Sequence, residues 1–142
     1  MAGKFLIDLT DESLKIPPND DVIGFIRETN PFAHSDVGSV LLSLGKAIPG
    51  AHVYSPSYAS FAYVILHTEA KRIFAIAFGQ RGLAFRITQP AQAAALTDGG
   101  VPAPEIGPDW VSFAPWGAQT TANSMARLHL WCAQAFADAV TA

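Results

Sequence analysis

The sequence predicts an α+β fold, in which a four- to five-stranded, mainly antiparallel sheet is packed by helices in a helix-sheet-helix, two-layer architecture. Consecutive strand-like runs between residues 61 and 88 predict the sheet. The segments before and after them carry apolar residues at the spacing of amphipathic helices. Because 142 residues suit one hydrophobic core, we expect residues 1–142 to form a single domain, with 1–19 as an edge strand and a loose N-terminal segment.

Two helices are expected ahead of the sheet. The first covers residues 20–29, because the side chain of Asn19 or Asp20 can accept a hydrogen bond from the free N–H groups of the first turn. The second begins at Ser35 or Asp36 and ends before a Pro-Gly pair.

The predicted strands are apolar on both faces. They cover about residues 61–67, 72–78, 83–88 and 109–113. Side chains alternate between the two faces of a strand, so Phe74, Ile76 and Phe78 should share one face. Since neither face is polar, we expect helices to cover one face and the remaining chain or a second subunit to cover the other.

A short helix after Pro90 and a long C-terminal helix complete the predicted elements. The long helix starts with Thr121 or Asn123 as its cap and extends to about Ala139. At 100° per residue, one stripe of this helix collects Met125, Leu128, Cys132, Ala135, Phe136 and Ala139. Such a stripe is typical of a helix docked on a core.

The surface is poor in charge, which bears on partners. Charged residues make up 15% of the chain and the formal net charge is −3. We therefore expect apolar surface to meet another subunit, most simply in a homodimer. The acidic balance supplies no field that would draw the molecule onto nucleic acid or an anionic membrane, so any nucleic-acid binding would be local.

Cysteine usage and the lack of long apolar runs predict a cytoplasmic location. The single cysteine, Cys132, cannot form an internal disulfide. The N-terminus lacks the apolar stretch of a signal peptide, and no segment reaches the roughly 18 apolar residues of a membrane span.

Basic residues around the second predicted hairpin are the first candidates for a binding site. They are Lys71, Arg72, Arg81 and Arg86. Guanidinium groups bind carboxylates and phosphates through paired hydrogen bonds. Hairpins also carry charge simply to keep their edges soluble.

Arg86 differs from the other basic residues because it lies on an otherwise apolar face. A buried cation there needs an anionic partner, and Glu69 or Asp109 could supply it. His67 and Trp110 complete the predicted ligand-binding set, as a titratable ring and an aromatic surface.

No catalytic, metal or cofactor motif stands out in the sequence. The four histidines form no ligand pair of the H-E-x-x-H kind. His129 and Cys132 are three residues apart on one predicted helix, but a cysteine on an apolar stripe is more often buried in a core. We therefore predict no metal site, no cofactor and no catalytic residues.

The order of elements from residue 55 to 140 carries a family resemblance. The hairpin "RIFAIAFGQRGLAFRI", a short alanine-rich helix, a Gly/Pro loop, "PDWVSF" and a last helix follow one another. This order resembles the MmcQ/YjbR-like small bacterial proteins, and it is similar to the uncharacterised luciferase-associated domain family. The first resemblance implies a helix-flanked antiparallel sheet and a suggested DNA-binding role, from which this acidic, lysine-poor chain departs.

The sequence thus predicts a small cytoplasmic bacterial-type protein that acts as a non-enzymatic binding or interaction module, self-associates and takes a partner or small anionic ligand. Nucleic-acid binding through the hairpin arginines is one alternative. A ligand-pocket protein or enzyme that uses Arg86 with His67, Glu69 or Asp109 is the other.

Overall fold

Four helices and six strands make up the part of the chain that the computed structural model describes, residues 16–29, 33, 35–54, 63–79, 82–113 and 122–140. The helices are α1 (Asp20–Thr29), α2 (Ser35–Lys46), α3 (Ala91–Thr97) and α4 (Ala122–Asp138). The strands are β1 (Ala51–Tyr54), β2 (Tyr63–His67), β3 (Ile73–Phe78), β4 (Gly82–Arg86), β5 (Val101–Pro102) and β6 (Trp110–Ser112). A 3-10 turn, Pro17–Asn19, precedes α1, and the edge strand expected near the N-terminus lies outside the described residues.

The strands form one antiparallel sheet in the order β1-β2-β3-β4-β6-β5. The predicted α+β fold is confirmed, but the sheet has six strands where four or five were expected. The two additional strands are the edge strands β1 and β5. Each has at most four residues, which is too short for an alternating pattern to be recognised.

Helices cover both faces of the sheet, so the helix-sheet-helix arrangement is confirmed and comprises three layers. Helices α2, α3 and α4 pack on one face, where the buried side chains include Leu41, Ala77, Phe85, Ala95, Val111 and Cys132. Helix α1 and the segment 103–106 pack on the other face, with Ile26, Val64, Ile76, Ala84, Ile106 and Trp110. The chain itself covers the second face, and the sheet needs no second subunit there.

A β-bulge in β3 changes the predicted alternation of side chains. Ile65 pairs with Ala75, whereas its neighbour Leu66 pairs with Ile73, so Phe74 is an extra residue between two pairs. Phe74 therefore joins the α4 side of the sheet, and Ile73 joins the α1 side with Ile76. The expectation that Phe74 and Ile76 share a face is wrong for this reason.

The apolar stripe of α4 faces the core as predicted. Leu128, Cys132 and Ala135 are buried against the sheet. His129, three residues before Cys132, is exposed and lies away from it. Among the described residues no cluster of histidine, cysteine and carboxylate side chains could hold a metal ion, and none of the described helices is long and apolar enough to cross a bilayer.

The burial of Cys132 makes its thiol unreactive in the folded protein. Its side chain is inaccessible to solvent, and burial raises its pKa to about 12. Because the thiolate is the nucleophile, we expect a thiol reagent at pH 8 to modify the native protein at least about a hundredfold more slowly than the protein unfolded in urea. Equal rates in the two states would contradict the packing of α4 described above.

Candidate functional site

Arg86, at the end of β4, is held by an ion pair beneath α1. Its side chain is only 3% exposed. Nε donates to the carbonyl oxygen of Ile73 at 3.1 Å, and Nη1 and Nη2 donate to the two carboxylate oxygens of Asp21 at 2.8 and 2.7 Å. The anionic partner that the sequence required is present, but it is Asp21 in the first turn of α1 and neither Glu69 nor Asp109.

Trp110, in β6, completes this arrangement. Its indole Nε1 donates to Oδ2 of Asp21 at 3.0 Å, and the guanidinium carbon of Arg86 lies 4.7 Å from the centre of the indole ring, within cation–π range. The structure thus brings together two residues of the predicted binding set. Both are occupied with Asp21, so this cluster stabilises the fold and leaves Arg86 committed to protein groups.

The electrostatics of Asp21 follow from this geometry. Partial burial raises the pKa of the Asp21 carboxyl. Hydrogen bonds and charge from Arg86, together with hydrogen bonds from Trp110 and the N–H of Val22, outweigh burial and hold the pKa below its ordinary value of 3.8. The carboxylate is therefore ionised at neutral pH.

His67 closes the turn between β2 and β3. Its Nδ1 accepts hydrogen bonds from the backbone N–H groups of Glu69 and Ala70 at 3.2 and 3.1 Å, so the ring proton lies on Nε2. The ring is 6% exposed and stacks on Phe136 of α4, with centroids 4.5 Å apart. These contacts give the imidazole a role in ordering the turn.

Arg72 lines an open cleft and lacks the partner that Arg86 has. Its side chain is 8% exposed, and its Nε is buried with no hydrogen-bond partner among the described residues. The cleft has a volume of about 380 Å³. Its lining consists of Ile16, Pro18, Glu69, Ala70, Arg72, Ala139 and Val140. A cation that is buried without its hydrogen bonds is costly unless a ligand supplies them.

The charges around Arg72 also indicate an incompletely matched cation. Burial lowers the pKa of the Arg72 guanidinium, and the positive charge of Arg86 lowers it further. Carboxylates of Asp21, Asp109 and Asp138 act in the opposite direction without restoring the ordinary value. A guanidinium nevertheless stays charged at neutral pH, so Arg72 presents a positive charge to the cleft.

Asn19 fixes the backbone on both sides of Arg72. This fully buried side chain donates from Nδ2 to the carbonyl oxygen of Lys71 and accepts at Oδ1 from the N–H of Ile73, both at 2.8 Å. It therefore pairs with the hairpin much as a neighbouring strand would. Since Pro18 precedes Asn19, the same contact brings one wall of the cleft against the other. Asn19 was predicted as a helix cap, whereas these contacts connect it to the hairpin.

The other basic residues of the hairpin do not form one surface with Arg72. Lys71 is exposed and adopts a left-handed backbone conformation at φ 59°. Arg86 is buried in its ion pair, and Arg81 lies outside the described residues. A second cleft of about 290 Å³ is lined by Asp20, Ile23, Gly24 and Arg27 of α1; Arg27 is exposed there.

Sequence reasoning missed the two residues that organise the site. Asp21 and Asn19 make their decisive contacts with residues more than fifty positions away, and nothing local distinguishes Asp21 from its neighbour Asp20. The one available signal was the requirement of Arg86 for a carboxylate, which the sequence could not assign to a position.

Replacement of Asp21 tests the ion pair. Asp21→Asn leaves the Arg86 charge without its counter-charge, and we expect a loss of about 3 kcal/mol in the free energy of unfolding. Because the folded pKa of Asp21 is depressed, its contribution is present above about pH 4 and is lost as pH falls through the folded value. Urea titrations from pH 7 to pH 2 should therefore show the two proteins converging in stability at low pH.

Asp20→Asn is the matched control for this experiment, because Asp20 is exposed and adjacent in sequence. We expect it to lower stability by less than about 1 kcal/mol through the helix dipole alone. An equal loss in the two variants, or a gap between wild type and Asp21→Asn that persists at pH 2, would show that the ion pair does not carry the effect.

Replacement of Asn19 tests the backbone clamp. Asn19→Ala removes the hydrogen bonds to Lys71 and Ile73 from a buried position, and we expect a loss of about 2 kcal/mol in urea unfolding. Gln89→Ala removes an exposed side-chain bond to Gln92 and should change stability by less than about 0.5 kcal/mol. A clamp that contributed nothing would make the two variants indistinguishable.

No family model, curated protein or solved structure matches this chain. The resemblance to the MmcQ/YjbR-like proteins and to the luciferase-associated domain family therefore stays a prediction. The arguments about function that follow rest on the cleft of Arg72 and on the groups around it.

Proposed function

We propose that this protein is a non-enzymatic binding module that takes a small anionic ligand in the cleft of Arg72. The observation that carries the proposal is the guanidinium of Arg72, which is buried to about nine-tenths, faces a cleft and has an Nε without a hydrogen-bond partner among the described residues. An anion in the cleft would supply both the missing acceptor and the missing counter-charge.

The contacts of the other candidate residues support binding over catalysis. The guanidinium of Arg86 is paired with Asp21, and Nδ1 of His67 is occupied by two backbone donors. A general base needs a free acceptor within reach of a substrate proton. Glu69 alone of these candidate carboxylates lines the cleft with Arg72, and no activated nucleophile accompanies it among the lining residues.

A cytoplasmic location and self-association complete the proposal. Both rest on the single cysteine and on the low charge of the chain. Val101, Leu130 and Val140 are large apolar side chains that are each more than half exposed, and they are the described residues that a second copy could cover. They belong to separate parts of the fold, so the proposal of a dimer rests mainly on composition.

The binding proposal is tested by titrating the ¹⁵N-labelled protein with acetate and with inorganic phosphate. We expect saturable shifts of the amide signals of residues 69–72 and 139–140. Arg72→Gln should weaken the binding at least about tenfold, since a hydrogen bond to a charged group contributes about 1.5–3 kcal/mol.

Arg27→Gln is the matched control, because it removes an exposed arginine from the other cleft. It should leave the titration unchanged. The proposal fails if neither anion gives a saturable shift, or if the two variants behave alike.

A further inference from the structure

The chemistry of the cleft narrows the class of ligand. We infer that the ligand is a small monocarboxylate with an apolar body, whose carboxylate lies against Arg72 and whose body lies along the remaining walls. This inference rests on the proposed function and goes beyond it, because a bare anion such as phosphate would satisfy the general proposal.

The free donor on Arg72 favours a carboxylate. The guanidinium plane offers Nε and one Nη side by side, and this pair matches the two oxygens of a carboxylate. It is Nε that lacks a hydrogen-bond partner among the described residues. A carboxylate in this side-on position would satisfy that donor with one oxygen and place its second oxygen within reach of an Nη group.

The surrounding charges favour a single negative charge on the ligand. Glu69 lines the same cleft, and the fields of Asp109 and Asp138 reach Arg72. One cation in such surroundings can balance one added negative charge, whereas a dianion would be repelled by the carboxylates that remain. Inorganic phosphate near neutral pH is thus a poorer match than a carboxylate.

The remaining walls favour an apolar body. Apart from Arg72 and Glu69, the lining consists of Ile16, Pro18, Ala70, Ala139 and Val140. A volume of about 380 Å³ holds about twelve non-hydrogen atoms at roughly 30 Å³ per water-sized group. The side chain of Val140 is 58% exposed, so a ligand that covered it would remove apolar surface from water.

Octanoate is a suitable probe because it combines one carboxylate with a body of the expected size. We would measure its affinity by isothermal titration calorimetry at pH 7.5, beside acetate, inorganic phosphate and octanamide. Octanoate should bind at least about tenfold more tightly than acetate, since each buried CH₂ contributes up to about 0.8 kcal/mol. Octanamide, which has the body without the charge, should bind at least about tenfold more weakly than octanoate.

Two variants assign the two parts of the ligand to the two parts of the cleft. Arg72→Gln should remove the difference between octanoate and octanamide. Val140→Asn changes an exposed wall residue that folding does not require, and it should weaken octanoate about threefold or more while acetate binding stays the same. An amide spectrum of each variant checks that it is folded, and Val140→Asn keeps the inference testable if Arg72→Gln is not.

The outcomes separate the inference from the proposal beneath it. Binding of phosphate that depends on Arg72 and is at least as tight as that of octanoate would overturn the monocarboxylate and leave the anion module intact. Octanoate affinity that is unchanged by Val140→Asn would overturn the apolar body in the same way. If no anion binds in a manner that depends on Arg72, both fail together.

Discussion

A cation buried in an apolar sheet face has to be matched by an anion, and in this protein that requirement determines where α1 lies. Arg86 is embedded under α1, and Asp21 is the carboxylate that reaches it with both oxygens. With Asp21 fixed, the apolar side of α1 lies on Val64, Ile76 and Ala84 of the sheet. The acidic residue thus orients the helix, while the apolar contacts supply most of the stabilisation.

The two buried arginines differ in how far the protein satisfies them. Arg86 has a bidentate carboxylate, a backbone acceptor and an aromatic ring. Arg72 has a more distant set of charges and an Nε without a partner among the described residues. Asn19 holds the backbone on each side of Arg72, so that this side chain is positioned before any ligand arrives. Positioning of this kind reduces the entropy that binding costs.

Local signals in the sequence predicted the elements with local causes. Helices α1 and α3 begin and end within a residue or two of the predicted limits, because caps, prolines and glycines act on their immediate neighbours. The bulge at Phe74 had no such signal, since an extra residue in a strand changes no composition. The pairing of Asp21 with Arg86 spans 65 positions, and Arg72 could be recognised as the unmatched arginine only once that pairing was known.

The bulge at Phe74 decides which side of the sheet each arginine occupies. Because of the extra residue, Ile73 turns toward α1, and the residue before it turns toward α4, where His67 lies against Phe136. Arg72 thereby faces the end of α4 on the side opposite Arg86. Removal of one residue from this strand would reverse that placement and direct two guanidinium groups at a single carboxylate. The one-residue irregularity thus keeps like charges apart across the thickness of the sheet.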